Sequence, residues 1–198
     1  RFTSPSTNTD VGGATIFYRQ NINKMNVGTA VAGGILDLVS GAGVSAIKAD
    51  ANGRVTTPLQ PSFSVRSNAG NNGNTWEGGQ DIKFQLVDRN NGSHYDTSTG
   101  RFTAPVAGFY HFNYVGFGYT AGRVPANSTC SVQIRKNNVA VVTGSYVDVT
   151  SSTGYPNTGF SFCFLLAASD YVTIRAQNNG QYADSSGLYS GFSGFLVG

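Results

Sequence analysis

The stretch Gly100–Tyr114, "GRFTAPVAGFYHFNY", carries five aromatic rings behind a proline and two glycines in a chain that is otherwise rich in small polar residues. Alternate side chains of an extended strand leave on opposite sides. Tyr110, Phe112 and Tyr114 therefore share one side, and Phe109, His111 and Asn113 share the other. One face is wholly aromatic and the other is mixed, as suits a strand with a core on one side and a less uniform environment on the other.

The surrounding composition points the same way. The 198 residues are 39% apolar and only 12% charged, with 26 glycines. Helical bundles need Ala, Leu, Glu and Lys, whereas turn-rich β structures use Gly, Asn, Ser and Thr. The net charge of +3 is dispersed along the chain, with no basic block, which argues against a nucleic-acid partner. No apolar run reaches the roughly 20 residues that span a membrane as a helix. The chain opens at Arg1 with nothing that reads as a signal peptide, so it reads as a fragment or processed form of a longer protein.

Aromatics divide the chain. Of its 13 Phe, 10 Tyr and one Trp, only Phe2, Phe17 and Tyr18 fall in residues 1–60. That first part has short apolar bursts ("ATIFY", "GGILDLVS") and too little bulk to close a core alone. It reads as an extended or intertwined β shaft and linker. A short amphipathic helix near Ile35–Val39 is the alternative, opposed by glycines at both ends. "ADANGRVTTPLQP" reads as a hairpin turn at Asn52-Gly53, a short strand and a proline-closed linker.

Residues 61–198 show short strand patterns between turn signals. These are "SFSVRS", "IKFQLV", "GRFTA", "FYHFNYVGFGY", "CSVQIRK", "AVVTGSYVDV", "FSFCFLLA", "YVTIRAQ" and "GFSGFLV", with Asn-Gly turns at residues 72, 91 and 179. Nine or ten short strands without a convincing helix predict an all-β sandwich or jelly roll. Two cysteines, Cys130 and Cys163, are too few for a disulfide scaffold and read as two buried thiols.

The series Phe84, Asn90, Tyr95, Phe102, Gly108, Tyr110, Phe112 and Tyr114 resembles the signature of the globular head of complement component 1, subcomponent q, whose family shares its jelly roll with tumour necrosis factor. "YSGFSGFLVG" resembles the family's closing strand. The likeness covers about residues 61–198 and implies a ten-stranded jelly-roll head that assembles as a homotrimer. In the last strand Phe192 and Leu196 face one way, and Phe195 and Val197 the other. A strand apolar on both sides must be covered on both. The resemblance implies that a neighbouring subunit is the second cover. Phe102, Tyr110, Phe112, Tyr114, Phe192, Phe195 and Val197 are thus expected in core and trimer packing. "DANGRVTTPLQPSFSV" resembles the junctions before such heads in tail-fibre-type proteins of marine bacteriophages. That implies an exposed virion appendage whose N-terminal segment meets other virion proteins.

An enzyme would need a constellation of reactive groups, and none is legible. His111 sits in the aromatic strand as a packed or half-exposed ring, and His94 in a solvated turn. No nucleophile elbow or phosphate loop occurs. Asp81, Asp88, Asp96 and Glu77 read as rim and turn residues rather than the facing carboxylates of a glycosidase. No catalytic residue, metal ligand or cofactor is predicted. "DRNNGSHYDTST" fails the helix-loop-helix calcium pattern at its glycine and at Thr99, which leaves an irregular calcium site on the trimer axis as the only metal alternative.

Binding is expected of the loops, where Trp76, Tyr119, Arg123, Tyr155 and Asn157 combine stacking and hydrogen-bonding groups suited to host-surface glycans. The leading reading is a homotrimeric phage fibre or appendage tip that attaches to a host receptor. Its rivals are a structural virion protein, using the head as a trimer clamp, and a secreted complement-like lectin or adhesin.

Overall fold

The computed structural model describes residues 14–19, 24–29, 32–67, 75–117, 128–144, 147–149, 157–178, 181–182 and 187–198. The chain divides into two compact units, Arg1–Leu59 and Gln60–Gly198.

In the first unit β1 (Ala14–Arg19) and β2 (Lys24–Thr29) form an antiparallel pair. A second sheet joins β3 (Leu36–Ser40), β4 (Val44–Ala49) and β5 (Val55–Thr56). The helix alternative near Ile35–Val39 is not adopted: Leu36–Ser40 is strand, followed by a three-residue 3-10 turn at Gly41–Gly43. The turn after β4 begins earlier than Asn52-Gly53 would give. It spans Asp50–Gly53, with Gly53 at φ +78. The Asp50 carbonyl accepts from Gly53 N at 2.9 Å, and its carboxylate accepts from the backbone N of Asn52 and of Arg54. Glycine relieves the left-handed position that such a turn requires. None of the residues of this unit whose burial is described, among them Val27–Thr29 and most of 32–59, is buried.

The second unit is a sandwich of antiparallel sheets. The first is ordered β16 (Asn157–Leu166), β11 (Gly108–Phe117), β19 (Gly191–Leu196), β6 (Ser62–Arg66) and β8 (Leu86–Asn91). The second is ordered β14 (Val139–Thr143), β13 (Val132–Lys136), β17 (Tyr171–Ala176), β10 (Arg101–Thr103) and β9 (Tyr95–Asp96). Two short pairs complete the described strands: β12 (Ser128–Cys130) with β15 (Val147–Val149), and β7 (Thr75–Trp76) with β18 (Gln181–Tyr182).

Between the sheets lies an aromatic core. Phe63 of β6 stacks on Tyr95 at 5.2 Å and on Phe102 at 4.8 Å, and meets Phe192 edge-on at 4.9 Å. From the second sheet come Val132, Ile134, Val172, Ile174 and Ala176, all fully buried. Gly194 of β19 faces inward between Phe63 and Phe112. A Cβ there would stand 2.7 Å from Phe112 and 2.8 Å from Phe63, so the missing side chain is what lets the two rings approach.

Two readings need correction. "IKFQLV" is not one strand: the ladder starts at Leu86, while Ile82 and Phe84 reach the core from an irregular segment. The cause is local bonding, because Ile82 N donates to Ile174 O at 2.7 Å and Phe84 N to the Tyr95 hydroxyl at 3.2 Å. Neither cysteine is in a disulfide, but only Cys130 is buried. Cys163 is half-exposed because β16 is an edge strand whose odd-numbered side chains face away from the core.

Candidate functional site

The outer surface of the first sheet is assembled from one alternation shared by three strands. With Tyr110, Phe112, Tyr114 and Phe192 turned inward, the intervening residues point away from the core. The register then sets five rows: Phe109 beside Leu165; His111 between Cys163 and Phe195; Asn113 between Ser161 and Ser193; Val115 between Gly159 and Gly191; and Phe117 beside Asn157. Phe109 is 44% exposed, Leu165 66%, Phe195 47% and Val197 53%, together an apolar cluster at one end of the sheet. The C-terminal residues are tied into it, since Val197 N donates to Phe109 O and Phe109 N to Gly198 O, both at 2.7 Å.

The middle rows are polar and ordered. His111 Nε2 lies 2.8 Å from Ser161 Oγ, and its ring sits 5.1 Å from that of Phe195. Next to them Val115 stands between two glycines, so no side chain flanks it across the strands. An exposed apolar patch with a polar band across it is the form of an interaction surface. Among the described residues no group of three or more His, Cys, Asp or Glu could hold a metal ion.

The predicted packing residues fall into two sets. Phe102, Tyr110, Phe112, Tyr114 and Phe192 are at most 2% exposed, whereas Phe195 and Val197 are on the outer face. Burial pushes the phenols of Tyr95 and Tyr114 well above their ordinary value, as for rings held in an apolar core. Leu165 was missed, because "FSFCFLLA" is apolar at nearly every position and gives no alternation to read.

The predicted binding residues fare differently. Trp76 is 1% exposed and belongs to the core, so its indole offers no face for stacking on a sugar; a turn-rich neighbourhood had suggested a surface ring. Asn157 is exposed at the start of β16. Tyr119, Arg123 and Tyr155 lie outside the described residues. His94 folds back over Gly92 and is half-buried, and burial lowers its pKa. The carboxylates read as rim residues are engaged: Asp81 with Arg175 and Asp88 with Arg66, each at 2.7 Å, and Asp96 with Ser98 and Thr99. Asn90 has a structural role, its side-chain amide bonding the Tyr95 backbone at 2.8 and 3.0 Å in place of a ladder partner.

Comparison with known proteins agrees with this architecture. The globular domain of zebrafish complement 1qA protein superposes with a TM-score of 0.54 at 17% identity, over 70% of this chain and 98% of that one. Eiger TNF from S. frugiperda gives 0.55 at 9% identity, over 71% and 94%. Murine APRIL gives 0.50 at 7% identity, over 70% and 99%. The C1q domain model matches residues 62–197. Domains of this type commonly form trimers and bind ligands, and are generally non-enzymatic. The aromatic sandwich, the Asn90–Tyr95 clasp and the matched span together make the chain a member of the C1q domain family.

Proposed function

We propose that the chain forms a homotrimer through the outer face of its first sheet and serves as the tip of a phage fibre or virion appendage that binds a host-surface glycan. The observation that carries the assembly is the apolar cluster Phe109, Leu165, Phe195 and Val197, exposed on a sheet whose other face is already a closed core. The habit of the family supports three-fold packing over other symmetries. Attachment is supported by the resemblance of residues 50–65 to fibre junctions and by the gain that three joined heads give to weak individual contacts. In this reading the N-terminal unit joins the head to other virion proteins.

The burial of Trp76 favours one competing reading, a structural virion protein that uses the head as a trimer clamp. Labelling of bacterial cells separates the two. Fluorescent full-length chain is expected to label a host strain and to compete with phage adsorption, and Phe195→Glu is expected to lose both through lost avidity. A trimer that labels no strain that the parent phage infects would leave the clamp as the function.

A further inference from the structure

The outer face of the second sheet has the opposite chemistry. Thr173 of β17 is fully buried although it points away from the core, in alternation with the inward Val172 and Ile174. On one side its register partner is Arg135 of β13. On the other, continuing the Phe102↔Val172 and Thr103↔Tyr171 pairing by one residue brings it opposite Arg101 of β10. The two arginines thus flank one threonine across three adjacent strands. Arg101 Nε, Arg135 Nε and Thr173 Oγ1 are all buried without a hydrogen-bond partner. Lys83, half-buried between the buried Ile82 and Phe84, adds a third cation nearby, with its Cα 3.4 Å from where a Cβ on Gly100 would stand.

The other charges on this face are already engaged. Arg175 pairs with Asp81 at 2.7 Å. Asp96, opposite Arg101 in register, accepts from Ser98 N, Ser98 Oγ and Thr99 Oγ1 at 2.7–2.9 Å. The Arg101 guanidinium carbon lies 4.3 Å from the centre of the Tyr171 ring, a cation–π contact that holds its position. Two arginines brought to either side of a buried hydroxyl leave donors without acceptors, an arrangement that costs free energy until an acceptor is supplied. Planar guanidinium forks match the oxygens of carboxylate and sulfate groups.

We infer that Arg101, Arg135 and Lys83, around Thr173, form a binding site for the carboxylate or sulfate groups of an acidic polysaccharide. The inference rests on the reading of the head as a glycan-binding module and names its ligand class. The site lies on the sheet opposite the assembly face, so trimer formation leaves it free.

The test is interferometry of the full-length chain on immobilised alginate, dextran sulfate and neutral dextran, at roughly physiological salt. Binding is expected to one or both charged polymers and not to neutral dextran, and the preference between the two tells carboxylate from sulfate. Arg101→Gln/Arg135→Gln is expected to weaken binding by about tenfold or more, as for removal of two charged forks. Thr173→Val and Arg101→Lys, which keep shape or charge, are each expected to cost about threefold. Lys48→Gln/Arg54→Gln removes the same net charge in the N-terminal unit and is expected to change binding by less than about twofold. Should the double variant fail to fold, the two conservative variants decide. Wild-type binding to neither charged polymer, or equal losses in the N-terminal control, would overturn the site. Light scattering on the same samples keeps the readings apart, since this site can fail while the trimer mass persists.

Discussion

On the inner side of β11, Tyr110, Phe112 and Tyr114 are at most 2% exposed, whereas Phe109 and Val115, each one residue away on the outer side, are 44% and 42% exposed. The inner side is wholly aromatic and the outer side mixed, yet both carry large apolar side chains and only the inner one is covered within the chain. The inner side is a packing problem solved locally, down to the glycine that admits two phenyl rings. The outer side leaves Phe109 and Val115 uncovered within the chain. The difference shows why aromatic content alone does not locate a core: coverage does, and within the chain only the inner side has it.

Substitutions can break this contrast. The largest effect is expected from Phe112→Ala, whose ring touches Tyr110, Phe63, Phe164 and Phe192. Truncating such a buried ring costs about 3–5 kcal/mol, which denaturant unfolding would register as a large fall in midpoint. Gly194→Ala follows, because its Cβ would press on Phe112 and Phe63, and overpacking of this kind costs about 1–3 kcal/mol. Phe195→Glu on the outer side is expected to leave the monomer's intrinsic stability within about 0.5 kcal/mol while abolishing assembly, so mass and stability separate.

The smallest effect concerns a turn that the contrast should leave untouched. Asp170 accepts from Lys136 Nζ and Ala167 N at 2.7 Å and from Asn137 Nδ2 at 2.6 Å. The Lys136 bond first, with Asn137 and Ala167, holds its carboxyl at about 2, below the ordinary 3.8. A depressed folded-state pKa adds stability that is present above the ordinary value and lost as pH falls from about 4 through about 2. Asp170→Asn is therefore expected to flatten the acid side of the stability profile without changing the oligomeric mass. An effect on mass would show that this turn belongs to the interface.

Much of the head was legible because its strands alternate cleanly. "SFSVR" and "GFYHFNY" bury every second residue as written. What was not legible depends on long-range register. Trp76 looked like a loop residue because nothing local shows that its strand pairs with Gln181–Tyr182. Arg101, Thr173 and Arg135 lie far apart in sequence and meet only once β10, β17 and β13 are adjacent. In β16 a run of apolar residues conceals which side Leu165 takes, and only pairing with Phe109 decides it. The N-terminal unit shows the reverse case, in which local strand signals are realised but Leu38, Ile47 and Val55 stay 50%, 44% and 65% exposed.

The most direct test of the central claim is the solution mass of the full chain by light scattering, taken beside Phe195→Glu. The expected result is three chain masses of 20.8 kDa for the wild type and one for the variant. A monomeric wild type, or a trimer indifferent to Phe195→Glu, would contradict assembly through the outer face of the first sheet.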